Sequence, residues 1–210
     1  QSGDQFSSLD ITSAALEPEK FDNYELGLKW DIFPTLSLTA AVYRLDRTNT
    51  RATDPNDATR TVLTGAQRSK GLEIGLSGAI TPQWQVSAGY ALQDAEIRKT
   101  TSAAPAGREV PLVPKQQVSL WTRYDFTPRF GAGVGVYHQS KSFTSISNTA
   151  VLPAFTRVDA AAFFKLTPQI EAQINVENLL DSNYFSSAYN DNNIMPGAPT
   201  TARATVRMSF

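Results

Sequence analysis

Apolar and polar residues alternate with a period of two through most of this chain. Tyr24, Leu26, Leu28, Trp30 and Ile32 share one parity, with Glu25, Gly27, Lys29 and Asp31 between them. Leu36, Leu38, Ala40 and Val42 alternate with Ser37, Thr39 and Ala41, and Leu72, Ile74, Leu76 and Ile80 enclose Glu73, Gly75 and Ser77. Trp84, Val86, Ala88, Tyr90 and Leu92 stand against Gln85, Ser87, Gly89 and Gln93. Four more sets follow: Val118, Leu120, Tyr124 and Phe126; Phe130, Ala132, Val134 and Val136; Val158, Ala160, Ala162, Phe164 and Leu166; Ile170, Ala172, Ile174 and Val176. The chain closes on Ala202, Ala204, Val206, Met208 and Phe210, with Arg203, Thr205, Arg207 and Ser209 on the other parity. This period predicts about nine β-strands, and no segment carries the helical period. Trp121 breaks the rule by falling on the polar parity.

Punctuation between the strands is of two kinds. Phe33-Pro34-Thr35, Thr81-Pro82-Gln83, Thr127-Pro128-Arg129 and Thr167-Pro168-Gln169 read as tight turns, because proline presets φ and cannot donate to a ladder. The other connections are long and polar, at about residues 47–65, 99–113, 144–153 and 184–199, and residues 1–18 read as another such connection. Short and long connections therefore alternate, and residues 1–210 read as one unit without a domain boundary.

A half-buried soluble sheet has the same alternation. Three features favour a transmembrane barrel. The strands read as roughly ten to fourteen residues, longer than the usual soluble strand. Tight turns at one end and long loops at the other match outer-membrane barrels. The rings of Trp30, Phe33, Trp84, Tyr124, Phe126, Phe130, Phe164 and Phe210 gather near the tight-turn end, as an interfacial girdle requires. The predicted fold class is thus all-β, an antiparallel up-and-down transmembrane β-barrel segment. An odd strand number, and edges that lipid does not tolerate, imply a partner strand upstream of Gln1.

Lys and Arg (19) nearly balance Asp and Glu (20), which points away from a nucleic-acid partner. Absence of cysteine excludes disulfides, thiol nucleophiles and thiolate metal sites in this sequence. No run of about eighteen apolar residues is present, which excludes a transmembrane helix but not transmembrane strands.

Three stretches resemble a known family. Glu17-Pro18-Glu19-Lys20-Phe21-Asp22-Asn23-Tyr24-Glu25-Leu26-Gly27-Leu28-Lys29-Trp30, Arg68-Ser69-Lys70-Gly71-Leu72-Glu73-Ile74-Gly75 and Asn178-Leu179-Leu180-Asp181-Ser182-Asn183-Tyr184 look like strands of TonB-dependent siderophore receptors. Tyr189-Asn190-Asp191-Asn192-Asn193 and Pro196-Gly197-Ala198-Pro199 look like the final loop of the catecholate-type members; Thr200 departs from the Arg that often follows that proline. The resemblance spans the chain. It implies the C-terminal part of a barrel of about 22 strands, in the outer membrane of a Gram-negative bacterium. The N-terminal plug and early strands would lie outside this sequence. It also implies uptake of ferric siderophores energised through TonB, which contacts the missing plug. Phe210 would be a terminal signal for the barrel-assembly machinery as well as a girdle ring.

Candidate chemistry is sparse. His138 is the only histidine and reads as a polar residue at the upper membrane boundary rather than a catalytic base, so no catalytic residue is assigned. Gly131, Gly133 and Gly135 have period two and no following helix, so they do not make a phosphate loop; room for a plug or a bend explains them better. Asp191 among asparagines reads as a turn rather than a calcium site, and no metal or cofactor is expected, the ferric siderophore being cargo. Glu25, Lys29, Glu73, Arg123, Lys165, Glu171, Glu177, Arg203 and Arg207 are expected to form an internal salt-bridge network facing the plug. A ferric catecholate is anionic and aromatic, so cations and rings in the long loops are the candidate ligand contacts: Arg51, Arg60, Lys99, Arg108, Lys141 and Tyr189. The alternatives are a general porin-type barrel and a soluble β-sandwich binding module. An enzyme has no residue set to support it.

Overall fold

The computed structural model describes residues 18–53, 56–57, 59, 61–101 and 104–209. Arg60, Phe210 and nearly all of the predicted connection at residues 1–18 lie outside the described residues. Strands are numbered in chain order: β1 (Lys20–Phe33), β2 (Leu36–Thr53), β3 (Thr61–Thr81), β4 (Trp84–Ile97), β5 (Gln116–Thr127), β6 (Phe130–Gln139), β7 (Ser142–Phe143), β8 (Val151–Leu152), β9 (Phe155–Lys165), β10 (Ile170–Glu177), β11 (Phe185–Asn190), β12 (Asn193–Pro196) and β13 (Thr201–Met208). Nine of them form one sheet in the order β1-β2-β3-β4-β5-β6-β9-β10-β13. Every neighbouring pair is antiparallel. The nine-stranded meander read from the alternation is therefore the observed sheet, with β1 and β13 at its edges.

Register keeps each parity on one face across the whole sheet. Trp30 pairs with Leu38, Leu38 with Leu76, Leu76 with Ala88, Ala88 with Leu120, Leu120 with Val136 and Val136 with Val158. A slip of one residue in any pair would send apolar side chains to the other face. The apolar face is uncovered: Leu26 is 75% exposed, Leu28 63% and Val206 64%. Among the described residues the buried hydrophobic set is small, led by Leu36, Ile97, Ala104, Ile146 and Leu152. Among the described residues no second protein layer packs on the apolar face, as a β-sandwich would require. A continuous apolar surface of this kind belongs in contact with another apolar phase. Among the described residues no helix is long and apolar enough to cross a membrane; crossing falls to strands.

The tight turns follow from Thr-Pro chemistry. Thr127 Oγ1 accepts the backbone N–H groups of Arg129 (3.2 Å) and Phe130 (3.0 Å). Thr167 Oγ1 does the same for Gln169 and Ile170, and Thr81 Oγ1 accepts from Trp84 N–H. The hydroxyl closes the turn that proline begins.

Three sequence expectations need correction or completion. The predicted connection at 47–65 is mostly strand: β2 has 18 residues and β3 has 21. Beyond the apolar band these ribbons need no greasy face, and paired backbone with charges such as Asp46–Arg68 (2.6 Å) continues them. At the other extreme β10 and β13 have only 8 residues each, short of the expected length. Finally, the glycines of β6 have an occupant within the sheet itself, which the sequence pattern did not name: a Cβ on Gly133 or Gly135 would lie 2.7 or 2.8 Å from the Trp121 ring. Trp121, on the polar face, occupies that space, which explains its parity.

Candidate functional site

Long connections fill the end of the sheet opposite the tight turns. Residues 98–115, 140–154 and 178–200 join β4 to β5, β6 to β9 and β10 to β13. They fold onto one another. Ile97, Ala104 and Ile146 form a small apolar core at 0–1% exposure. Around it, Arg108 Nη1 donates to the Ile146 carbonyl at 2.9 Å. Glu109 N–H donates to Asn148 Oδ1 (2.8 Å), and Asn148 Nδ2 returns to the Glu109 carbonyl (3.0 Å). Lys115 Nζ lies 2.8 Å from Glu109 Oε1, and that carboxylate raises the Lys115 pKa. Leu112 N–H reaches the Phe143 carbonyl at 2.8 Å. Apart from Lys115–Glu109, which lies within one connection, these bonds have no sequence signature, since each joins positions in separate connections.

The third connection holds two further features. Its root is knotted around Asn178, which is 1% exposed. Asn178 N–H donates to Asp159 Oδ1 (2.8 Å), its Nδ2 donates to the Ser182 and Ala198 carbonyls (both 3.0 Å), and its Oδ1 accepts from Ser182 N–H (2.9 Å). Thr200 Oγ1 completes the knot on the Asn178 carbonyl at 2.7 Å. Asn178 has φ 53°, a left-handed conformation that asparagine tolerates better than most residues. Beside the knot, Tyr184 stacks on Phe155 at 4.4 Å and lies so close to Gly197 that a Cβ there would fall 2.3 Å from the ring.

The tip of the connection is the β11–β12 turn. Asn190 Oδ1 accepts from Asn192 and Asn193 N–H at 2.9 and 2.8 Å. The asparagine-rich motif is therefore a side-chain-closed turn, as its composition implied. Asp191 is free to do something else. Its carboxylate accepts from the hydroxyls of Thr144, Ser147 (2.6 Å) and Thr149 (3.0 Å) on the neighbouring connection. Desolvation against that loop opposes ionisation. The hydroxyls of Ser147, Thr144, Ser145 and Thr149 outweigh it and hold the Asp191 carboxyl below its usual range.

The five described ligand-contact candidates share no hydrogen bond or ring contact with one another. Lys99, Lys141 and Tyr189 are exposed in the three long connections. Arg108 is occupied with the Ile146 carbonyl. Arg51 lies in β2, half-buried, and its N–H donates to Glu19 Oε1 at 3.2 Å. Arg60 is outside the described residues.

The four described girdle candidates sit on the apolar face near the tight turns. Trp30 is 56% exposed, Phe126 59%, Tyr124 45% and Trp84 40%. Tyr124, Phe126, Phe130 and Phe164 form a chain of ring contacts at 5.1, 5.7 and 5.3 Å, and Trp84 Nε1 donates to Thr122 Oγ1 at 2.7 Å. His138 shares a 2.8 Å hydrogen bond with Thr156 Oγ1 on the same face.

The polar face departs from expectation. Of the nine charges assigned to a network, only Arg123 has a salt bridge among the described residues, to Asp125 at 2.9 Å, and its guanidinium covers the Phe163 ring at 4.0 Å. Their cross-strand neighbours are mostly uncharged; Glu73, for instance, pairs with Ala41 and Ala91. Glu171 is the exception: the register sets it directly opposite Lys165 and Arg207, and the three line an open cavity of about 400 Å³ near the tight turns.

Comparison with known proteins adds an independent line. A family model described as "TonB dependent receptor-like, beta-barrel" matches residues 1–179. The probable TonB-dependent siderophore receptor PiuA of Acinetobacter baumannii is 33% identical over 198 residues, covering 89% of this chain and 26% of PiuA. The catecholate siderophore receptor Fiu of Escherichia coli K12 is 32% identical over 201 residues, covering 92% and 26%. The PiuA crystal structure superposes with a TM-score of 0.78 over 90% of this chain and 28% of that one. The closed form of Fiu gives 0.78 at 29% identity, over 93% and 28%. The chain thus spans about a quarter of the length of these relatives.

Proposed function

The chain belongs to the TonB-dependent receptor β-barrel family of the outer membrane, and from that premise we propose that it is the C-terminal barrel part of a receptor for TonB-dependent uptake of ferric siderophores. One observation carries the reading beyond family membership. A single sheet presents an uncovered apolar face and a polar, charge-bearing face, and folds its long connections into a structured cap at one end. That combination suits a wall between lipid and a wet interior, with a ligand-facing surface on one side of the membrane. The relatives named as siderophore receptors, one of them for catecholates, support the ligand class. TonB would act through the plug, upstream of this sequence. Trp30, Trp84, Tyr124 and Phe126 would lie at headgroup level against outer-membrane lipid.

Lys141 and Tyr189 are exposed and chemically suited to an anionic aromatic chelate, by charge and by a flat ring. In the full-length receptor, Lys141→Ala with Tyr189→Ala should weaken ferric catecholate binding about tenfold, measured by quenching of intrinsic fluorescence. Equal binding curves would place recognition on the plug and upstream loops. Deleting Phe210 tests the assembly signal: barrel yield in the outer membrane should fall, and an unchanged yield leaves that residue only an interfacial role.

A further inference from the structure

The β11–β12 hairpin is fastened at both ends by different chemistry. Its root is tied by the Asn178 knot and by Tyr184 on Phe155. Its tip is tied by Asp191. Both carboxylate oxygens are used: Oδ1 accepts from Thr144, and Oδ2 accepts from Ser147 and Thr149. The receiving loop is itself a fixed post. Asn148, between two of the donors, is cross-bonded to Glu109 of the adjacent connection. Ser145 Oγ donates to Ser147 Oγ at 3.0 Å, so the Ser147 hydroxyl proton is left for the carboxylate.

What the tip lacks matters as much. The segment Thr144-Ser145-Ile146-Ser147-Asn148-Thr149 contains no cation. Among the described residues Asp191 is held by neutral hydroxyls, with no cation among the groups acting on it. Such bonds gain strength from the charge, yet water can replace all of them when the carboxylate leaves, because no buried cation is stranded behind it. The contact is strong when closed and has a low penalty for opening. Between root and tip the hairpin carries exposed side chains, with Tyr189 and Met195 each 62% exposed. Tyr189 lies two residues before Asp191 on the same arm of the hairpin.

We infer that Asp191 is a releasable latch that closes the β11–β12 hairpin onto the 144–149 loop and so positions Tyr189 at the loop end. The positioning of Tyr189 for a ligand rests on the receptor reading proposed above; the latch itself does not. Asp191 acts through the hairpin and is a positioning residue, without ligand contact of its own.

The test uses the full-length receptor and hydrogen exchange. In Asp191→Ala, amides of β11 and β12 should exchange about tenfold faster or more, while those of β10 and β13 keep their wild-type rates. Ser147→Ala with Thr149→Val, made on the other side of the contact, should reproduce the effect. Adding Asp191→Ala to that pair should add little. Asp191→Asn, which keeps an acceptor oxygen without the charge, should fall between. Unchanged exchange in Asp191→Ala overturns the latch. A second arm measures ferric tris-catecholate binding, which should weaken about as much in Asp191→Ala as in Tyr189→Ala. Faster exchange with unaltered binding overturns the positioning of Tyr189. Unaltered binding in both Asp191→Ala and Tyr189→Ala bears instead on the ligand reading, because the exchange arm contains no ligand.

Discussion

The two ends of this sheet are built on different principles. At the tight-turn end, each link is made within a few residues: Thr127 satisfies Arg129 and Phe130, and Thr167 satisfies Gln169 and Ile170. At the loop end, the holding bonds of the knots join positions far apart in the chain, Asn178 with Ala198 and Glu109 with Asn148 among them. A local turn can lose a bond and let water replace it. A cross-loop knot excludes water, so a lost partner leaves others unsatisfied. Damage of equal chemical size should therefore be costly at the loop end and cheap at the turn end.

Asn178→Ala should give the largest effect. It removes three side-chain hydrogen bonds from a residue that is 1% exposed, leaving Ser182 N–H and the Ser182 and Ala198 carbonyls without that partner. An unsatisfied buried group costs about 1–3 kcal/mol, and alanine is also less suited than asparagine to a positive φ. A loss of about 3 kcal/mol is expected, measured as the shift in urea midpoint of the full-length receptor folded into lipid vesicles. A shift no larger than that of a surface alanine would show that water reaches the knot, and the contrast between the ends would fail there.

The middle of the sheet should respond less. Gly133→Ala with Gly135→Ala places methyl groups where the Trp121 ring lies, 2.7 and 2.8 Å away. The ring borders a cavity also lined by Asp159, Asn175 and Arg203, so overpacking of about 1–2 kcal/mol is expected rather than more. A change in tryptophan emission should accompany it. Trp121→Leu should relieve most of the cost, and a double-mutant cycle would read that coupling.

This gradient also explains what was legible in the sequence. Strand number, strand order and facing were readable because period two is a local signal and the register carries it unchanged from Trp30 to Val158. The turns were readable because Thr-Pro closes on itself. The extent of β2 and β3 was not, since beyond the apolar band nothing in the pattern distinguishes a paired polar strand from a loop. Asp191 was noticed for its asparagine neighbours, but its partners lie more than 40 residues earlier, and no spacing rule connects them. Arg108 was noticed as a cation in a loop, which is a local observation; its hydrogen bond to the Ile146 carbonyl is not. Charges on the polar face were expected to pair with one another, but the register sets most of them opposite small or uncharged residues.

Thr127→Ala should give the smallest effect, and its size is the informative part. The substitution removes an oxygen that accepts two backbone N–H groups, nominally the same kind of loss as at Asn178. Arg129 and Phe130 are both exposed, however, so water can take up the freed donors. Only the preference for the closed turn is lost, about 0.5–1 kcal/mol by analogy with a side chain that caps backbone donors. Thr127→Ser keeps the oxygen and should match the wild type within error in the same vesicle unfolding measurement. If Thr127→Ala instead approached the Asn178→Ala value, the tight turns would have to be anchors of the barrel and not simple closures. The Thr81 and Thr167 positions should then show the same excess.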